Sequence, residues 1–298
     1  VRKPTIEERA ILGINDVVQN VVRQQLKVME AIPQVLGTLT DLLAPPKGDG
    51  NGSAKGGLPG IPDVLAPKTP FNVTVTSQRT FAARELSLTD AKFISKATGT
   101  KINDVVMAIC GGALRRFLDE RESLPDKPLT AGIPVSVRPK DDQGTGNAIS
   151  FIVATLGTDI EGAAARLQAI KASVRAAKAH VQALPRHAMM QYTMLLMAPT
   201  ILTLLTGIGG RTPPMFNITI SNVPGPAQPL YFRGAELVSI FPASIVTHGQ
   251  ALNITCESYA GQMNFGFTGC HASLPSLQRL AVYAADALQE LEAAVLPR

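Results

Sequence analysis

The sequence predicts an α/β (α+β) layered sandwich, a mixed sheet covered by helices. Three observations carry that expectation. Runs of alternating apolar residues suit strands, and segments with apolar residues every three or four positions suit helices. The two kinds alternate in no fixed order, and the last strand-like runs follow each other closely enough to pair antiparallel. At 298 residues and 45% hydrophobic, the chain can bury a substantial core.

Residues 5–43 read as helix, because Thr5 and Glu8 have capping-box spacing and apolar residues recur at three and four; Pro33 marks a kink or break. From 45 to 69 the chain turns rich in Gly, Pro and Ser and reads as a flexible linker. The expected organisation is a helical connector at 1–44, a linker at 45–69 and a folded domain at 70–298. Val1 and its neighbours read as mid-protein sequence, so the chain is expected to be part of a longer polypeptide.

The domain opens with "PFNVTVTS" at 70–77, a strand-like alternation echoed by "MFNITISN" at 215–222. Residues 79–88 suit a strand and 88–98 a short helix. "KINDVVMAICGGALRRFLDE" at 101–120 is a strongly amphipathic helix in which Gly111 and Gly112 each cost about 1 kcal/mol against alanine, so a close neighbour is expected there. A buried strand "LTAGIPVSV" ends at Arg138. A polar loop follows, then a strand from Ala148 to Gly157 and a helix over about 159–183 with Asp159 as its cap. Residues 188–210 carry no charge, but Pro199 interrupts them, and they read as two helical pieces, buried or touching lipid, rather than a membrane span. Strand-like runs near 230–241, 249–258 and 262–269 precede a closing helix from Leu274 to Leu296.

The net charge of +5 suits anionic small molecules or lipid headgroups, and with 5% aromatics the chain offers no platform for nucleic acid. Cys110, Cys256 and Cys270 form no C-x-x-C pair and read as reduced buried thiols. Asn72, Asn217 and Asn253 sit in N-x-T triplets that lie in strand-like alternations, which favours strand over glycosylation site.

The four histidines, His180, His187, His248 and His271, belong to no nucleophile, zinc or phosphate-loop pattern, and no metal-ligand spacing occurs. The residues show no complete active site. The remaining candidates are polar groups at element ends. Asn103 and Asp104 open the strong helix, where a cap is the simplest role. Ser136 and Arg138 end a strand facing the loop with Gly146 and Asn147. Lys171, Arg175 and Lys178 share a helix face, either solvated or binding phosphates. Ser221 and Asn222 end a strand at a rigid turn made by Pro224, Gly225 and Pro226.

Eight segments in order, "TPFNVTVTSQR", "GTKINDVVMAICGGALRRFL", "IPVSVRP", "GN", "DIEGAAARL", "FNITISNVPGP", "LYFRGAELVSIFP" and "LNITCESYAGQMNFGF", resemble the C-terminal half of bacterial wax ester synthase/diacylglycerol acyltransferases of the mycobacterial triacylglycerol synthase type. The resemblance implies one of two chloramphenicol-acetyltransferase-like halves with a channel between them. It implies transfer of an acyl group from acyl-CoA, as substrate and with no cofactor, to diacylglycerol or a long-chain alcohol. Its catalytic H-H-x-x-x-D-G is absent here, so the general base is expected in the N-terminal half of the same protein and no catalytic residue in this chain. A cytoplasmic protein at the inner membrane or lipid droplets is implied. The alternatives are a condensation-type acyltransferase on the same scaffold and a non-catalytic lipid-binding module.

Overall fold

Residues Leu252–Tyr259 alternate between buried and half-buried positions, the signature of a strand with only one face deep in the core. The computed structural model describes residues 66–136, 149–183, 192, 209–211 and 214–296. The readings at 5–43, most of the 45–69 linker, Arg138, Gly146, Asn147, His187 and nearly all of 188–210 lie outside them.

Six strands form one mixed sheet: β1 (Arg79–Ser87), β2 (Thr130–Ser136), β3 (Ile149–Thr155), β4 (Ile218–Pro224), β7 (Leu252–Tyr259) and β8 (Gln262–Cys270). Their order is β1-β8-β7-β4-β2-β3. The β2–β4 and β4–β7 pairs are parallel and the other three antiparallel. Two-residue strands β5 (Tyr231–Phe232) and β6 (Ala235–Glu236) make a separate hairpin. Among the described residues four helices complete the elements: α1 (Leu88–Thr98), α2 (Ile102–Asp119), α3 (Ala163–Ala183) and α4 (Gln278–Val295).

The helices pack on the face that carries Ile218, Ile220, Ile254, Phe265 and Phe267, all in the continuous core. α2 is the central helix, and thirteen of its residues, from Asp104 to Leu118, are buried. The expected close neighbours of its glycine pair are present. A Cβ on Gly111 would lie 2.4 Å from the Leu156 carbonyl oxygen, and one on Gly112 would lie 2.9 Å from Ala287 Cβ.

Beside them, the side chain of Arg166 is buried. It donates to the carbonyls of Ile160 and Glu161 and pairs with Glu290 at 3.1 Å. Burial pushes this guanidinium's proton affinity down, and the Glu290 carboxylate pushes it back up.

Three elements depart from the sequence reading. The segment 70–77 is not a ladder strand but a turn and extended arm, whose Phe71 and Val73 carbonyls accept from Ala251 and Gly249. The third helix begins at Ala163, because Gly157 takes a left-handed φ of 57° and a turn closed by Ile160 N–H on the Gly157 carbonyl takes up Asp159. The run near 230–241 yields only the short hairpin, with Tyr231, Phe232 and Val238 exposed. Among the described residues no helix is long and apolar enough to cross a membrane.

Candidate functional site

The far face of the sheet, away from the helices, is built from alternate residues of three strands. Thr219 and Ser221 on β4 stand beside Asn253 and Thr255 on β7, which stand beside Thr268 and Gly266 on β8. Gly266 lies where the 237–246 segment crosses, since a Cβ there would meet the Pro242 carbonyl at 1.7 Å. Ser221 and Asn222 are half-buried, and among the described residues neither side chain has a hydrogen-bond partner. Asn264, one step along β8 and opposite Glu257, is fully buried with neither amide atom paired among the described residues.

The turn after β4 is rigid for a local reason. A Cβ on Gly225 would sit 2.2 Å from the Ser258 carbonyl oxygen, so the backbone passes β7 at a distance only glycine permits. Gly225 N–H donates to Ser258 Oγ at 3.1 Å, and Ala260 N–H to the Pro226 carbonyl at 3.0 Å. Beyond it, the buried Tyr259 hydroxyl accepts from Leu230 N–H at 2.8 Å and donates to the Leu237 carbonyl at 2.6 Å, which ties the hairpin to the end of β7.

The second candidate pair has a different arrangement from the one its sequence suggests. Lys101, not Asn103, is the N-cap residue of α2, and the cap bond comes from Asp104, whose Oδ2 accepts Lys101 N–H at 2.9 Å. The Asn103 side-chain nitrogen is buried without a partner among the described residues. Because Gly111 and Arg115 contact Leu156 and the Thr158 carbonyl beside the start of β2, α2 runs antiparallel to β2. Its first turn therefore lies toward the sheet end where β2, β4 and β7 finish. Asn103 and Asp104 thus share that end with the backbone of Ser136 and with Ser221 and Asn222, and among the described residues no hydrogen bond joins Asn103 or Asp104 to Ser221 or Asn222.

The described histidines have structural partners. His248 Nδ1 accepts Val75 N–H at 3.1 Å, His271 Nδ1 is 2.9 Å from Thr80 Oγ1, and His180 lies against Tyr192. Sequence reading passed over Tyr259, Asn264 and Lys101. The first two look like ordinary strand residues, and a single lysine before a helix carries no signal until its neighbours in space are known.

Residues 145–292 match the family model for the WS/DGAT C-terminal domain. Residues 4–106 match that for the wax ester synthase/diacylglycerol acyltransferase catalytic domain. The chain belongs to the wax ester synthase/diacylglycerol acyltransferase family. A putative diacylglycerol O-acyltransferase of Mycobacterium tuberculosis is 48% identical over 237 residues, which cover 78% of this chain and 48% of the relative. A second from that organism, described as probable, is 43% identical over 231 residues, covering 77% and 51%. A wax ester synthase/diacylglycerol acyltransferase from Marinobacter aquaeolei VT8 is structurally similar, with a TM-score of 0.69 and 39% identity over 77% of this chain and 52% of that one. A nonribosomal peptide synthetase, with a TM-score of 0.51 at 16% identity, shares the fold alone. The chain spans about half the length of the curated relatives it matches.

Proposed function

We propose that this chain is the C-terminal part of an acyl-CoA-dependent O-acyltransferase that makes triacylglycerol from diacylglycerol, and wax esters from long-chain alcohols. The observation that carries the reading is its 48% identity to a relative named as a diacylglycerol O-acyltransferase. The far face of the sheet supports it. Thr219 and Thr255 hydroxyls on that face donate to the Gln250 and Asn253 amide oxygens and Ser221 has no partner among the described residues, while Val223, Leu230 and Val238 nearby leave large apolar side chains in solvent. On this reading the N-terminal half of the protein covers that face and brings the H-H-x-x-x-D-G base, which activates the acceptor hydroxyl for attack on the thioester. This chain supplies channel wall, with Ser221, Asn222 and the Pro224–Gly225–Pro226 turn at its rim.

Substrates this apolar suit an enzyme associated peripherally with the inner membrane or lipid droplets. The test measures transfer from radiolabelled palmitoyl-CoA to diacylglycerol, for this chain alone and for the chain joined to the H-H-x-x-x-D-G half of a relative. Turnover only in the joined protein is expected. Turnover by the chain alone would place the base here. Use of a carrier-protein thioester but not of acyl-CoA would favour a condensation-type enzyme, and no turnover of either a lipid-binding module.

A further inference from the structure

Between the start of α2 and one face of α3 lies a cavity of about 350 Å³, within the range of roughly 300–1,000 Å³ typical of small-ligand sites. Lys101, Asp104 and Gly99 line one side, and Lys171, Arg175 and Lys178 the other. The three cations of α3 follow one another at helical spacing, so all three reach the same opening. Lys171 reaches across to the Gly99 turn: a Cβ there would be in ordinary van der Waals contact with its Nζ, at 3.8 Å.

The charges do not balance. Among the described residues four cations face one carboxylate, and Asp104 already commits Oδ2 to the Lys101 N–H. Among the described residues none of the four is in an ion pair, although Arg116, Arg166 and Arg279 all are. Lys178 is half-buried. Burial pushes its proton affinity down, the Asp104 carboxylate pushes it up and the Lys101 charge pushes it down again. Such a site gains most from a mobile counter-anion. The α2 helix also directs its positive end into this opening.

We infer that this cavity binds a phosphate group. A phosphate ester presents two negative charges and three oxygens, enough to engage ammonium groups on both walls at once, where a carboxylate would leave most of them unpaired. The phosphate can belong to a soluble phosphoester or to a phospholipid headgroup, and the experiment separates these two sources.

Binding is measured by calorimetry on the 298-residue chain with adenosine 3′,5′-bisphosphate and with inorganic pyrophosphate. Flotation is measured with phosphatidylcholine vesicles, with and without phosphatidic acid. The site variant is Lys101→Gln with Lys178→Gln, and a second pair, Lys171→Gln with Arg175→Gln, replaces it if the first does not fold. The control is Lys92→Gln with Lys127→Gln, which removes the same charge from exposed positions outside the cavity. The site variant is expected to weaken binding by about tenfold or more and the control by less than about twofold, with both melting like the parent chain. Binding of the soluble probes assigns the site to a phosphoester. Binding only to vesicles with phosphatidic acid assigns it to a headgroup. No binding to any probe, or equal losses in site and control variants, would overturn the inference. Because the readout is binding, a failure here is distinct from a failure of acyl transfer.

Discussion

Asn217 Nδ2 donates to Asn72 Oδ1 at 2.9 Å, so the two segments that echo each other in sequence meet through their asparagines. Both side chains are almost completely buried. Asn72 also donates to the carbonyls of Asn217 and Gly249, and Asn217 Oδ1 accepts Thr130 N–H at 3.0 Å. The pair joins the arm before β1 to the starts of β2 and β4. Removing either amide leaves buried partners unpaired, so Asn72→Ala and Asn217→Ala should each cost about 2–4 kcal/mol in denaturant unfolding, the sum of one or two unsatisfied groups. The double variant should cost less than the two together. Additive losses would show that the two amides act independently.

Alanine normally stabilises a helix over glycine by about 1 kcal/mol. Within α2 the sign should reverse, because a Gly111 Cβ has the Leu156 backbone oxygen 2.4 Å away. Gly111→Ala is expected to destabilise by about 1–3 kcal/mol, read from the chemical denaturation midpoint. A more stable variant would mean that the helix can move off β3 at little cost.

Gly225→Ala should disturb the turn after β4 by the same kind of contact, here with the Ser258 carbonyl. In the complete enzyme this variant is expected to lose acyl transfer by more than about tenfold, because small displacements at a reacting site carry large rate penalties. Its melting temperature, measured alongside, should fall as for Gly111→Ala, so activity is compared at a temperature where the variant is fully folded. Wild-type activity would remove the turn from the channel.

Glu120 has its carboxyl held below the ordinary range by the Tyr283 hydroxyl and by Arg116, with Arg279 adding to both. A lowered carboxyl adds stability that is present above the unfolded value of about 4.3 and is lost as pH falls through the lower folded value. The parent should therefore lose melting temperature below about pH 4.3 more steeply than Glu120→Gln does. Parallel curves would show that the cluster adds nothing in acid.

A general base contributes about 10²–10⁴-fold in rate. His180, His248 and His271 have neighbours that suit structural roles, so their alanine variants in the complete enzyme should keep activity within about tenfold. A folded variant that lost about a thousandfold would place the catalytic base in this chain.

Local signals made α1 and α2 legible. Ser87 caps the first helix and its αL glycine, Gly99, ends it, while the apolar stripe of α2 repeats over the whole helix. The strand order was not legible, because β4 lies between β2 and β7 for reasons of pairing at long sequence separation. Alternation also misled at 70–77 and 230–241. It reports that two faces differ, not whether a neighbouring strand is present, and at Phe232 and Val238 the apolar side meets solvent. In the candidate site the Pro224–Gly225–Pro226 turn could be read from composition. The cationic cavity could not, because Lys101 joins Lys171 and Lys178 only once α2 and α3 pack.

The first strand of the sheet pairs with the last, Arg79 opposite Cys270 and Ser87 opposite Gln262. On a ribosome, β1 therefore emerges about 190 residues before its partner is complete. At a synthesis rate of roughly 5–20 residues per second, its pairing edge stays bare for about 10–40 s. Over that interval an unpaired strand carrying Phe81 can pair with another chain, so nascent-chain chaperones have a defined segment to shield. Truncations that stop short of Gln262 should leave that edge open permanently and be recovered mainly in the aggregated fraction.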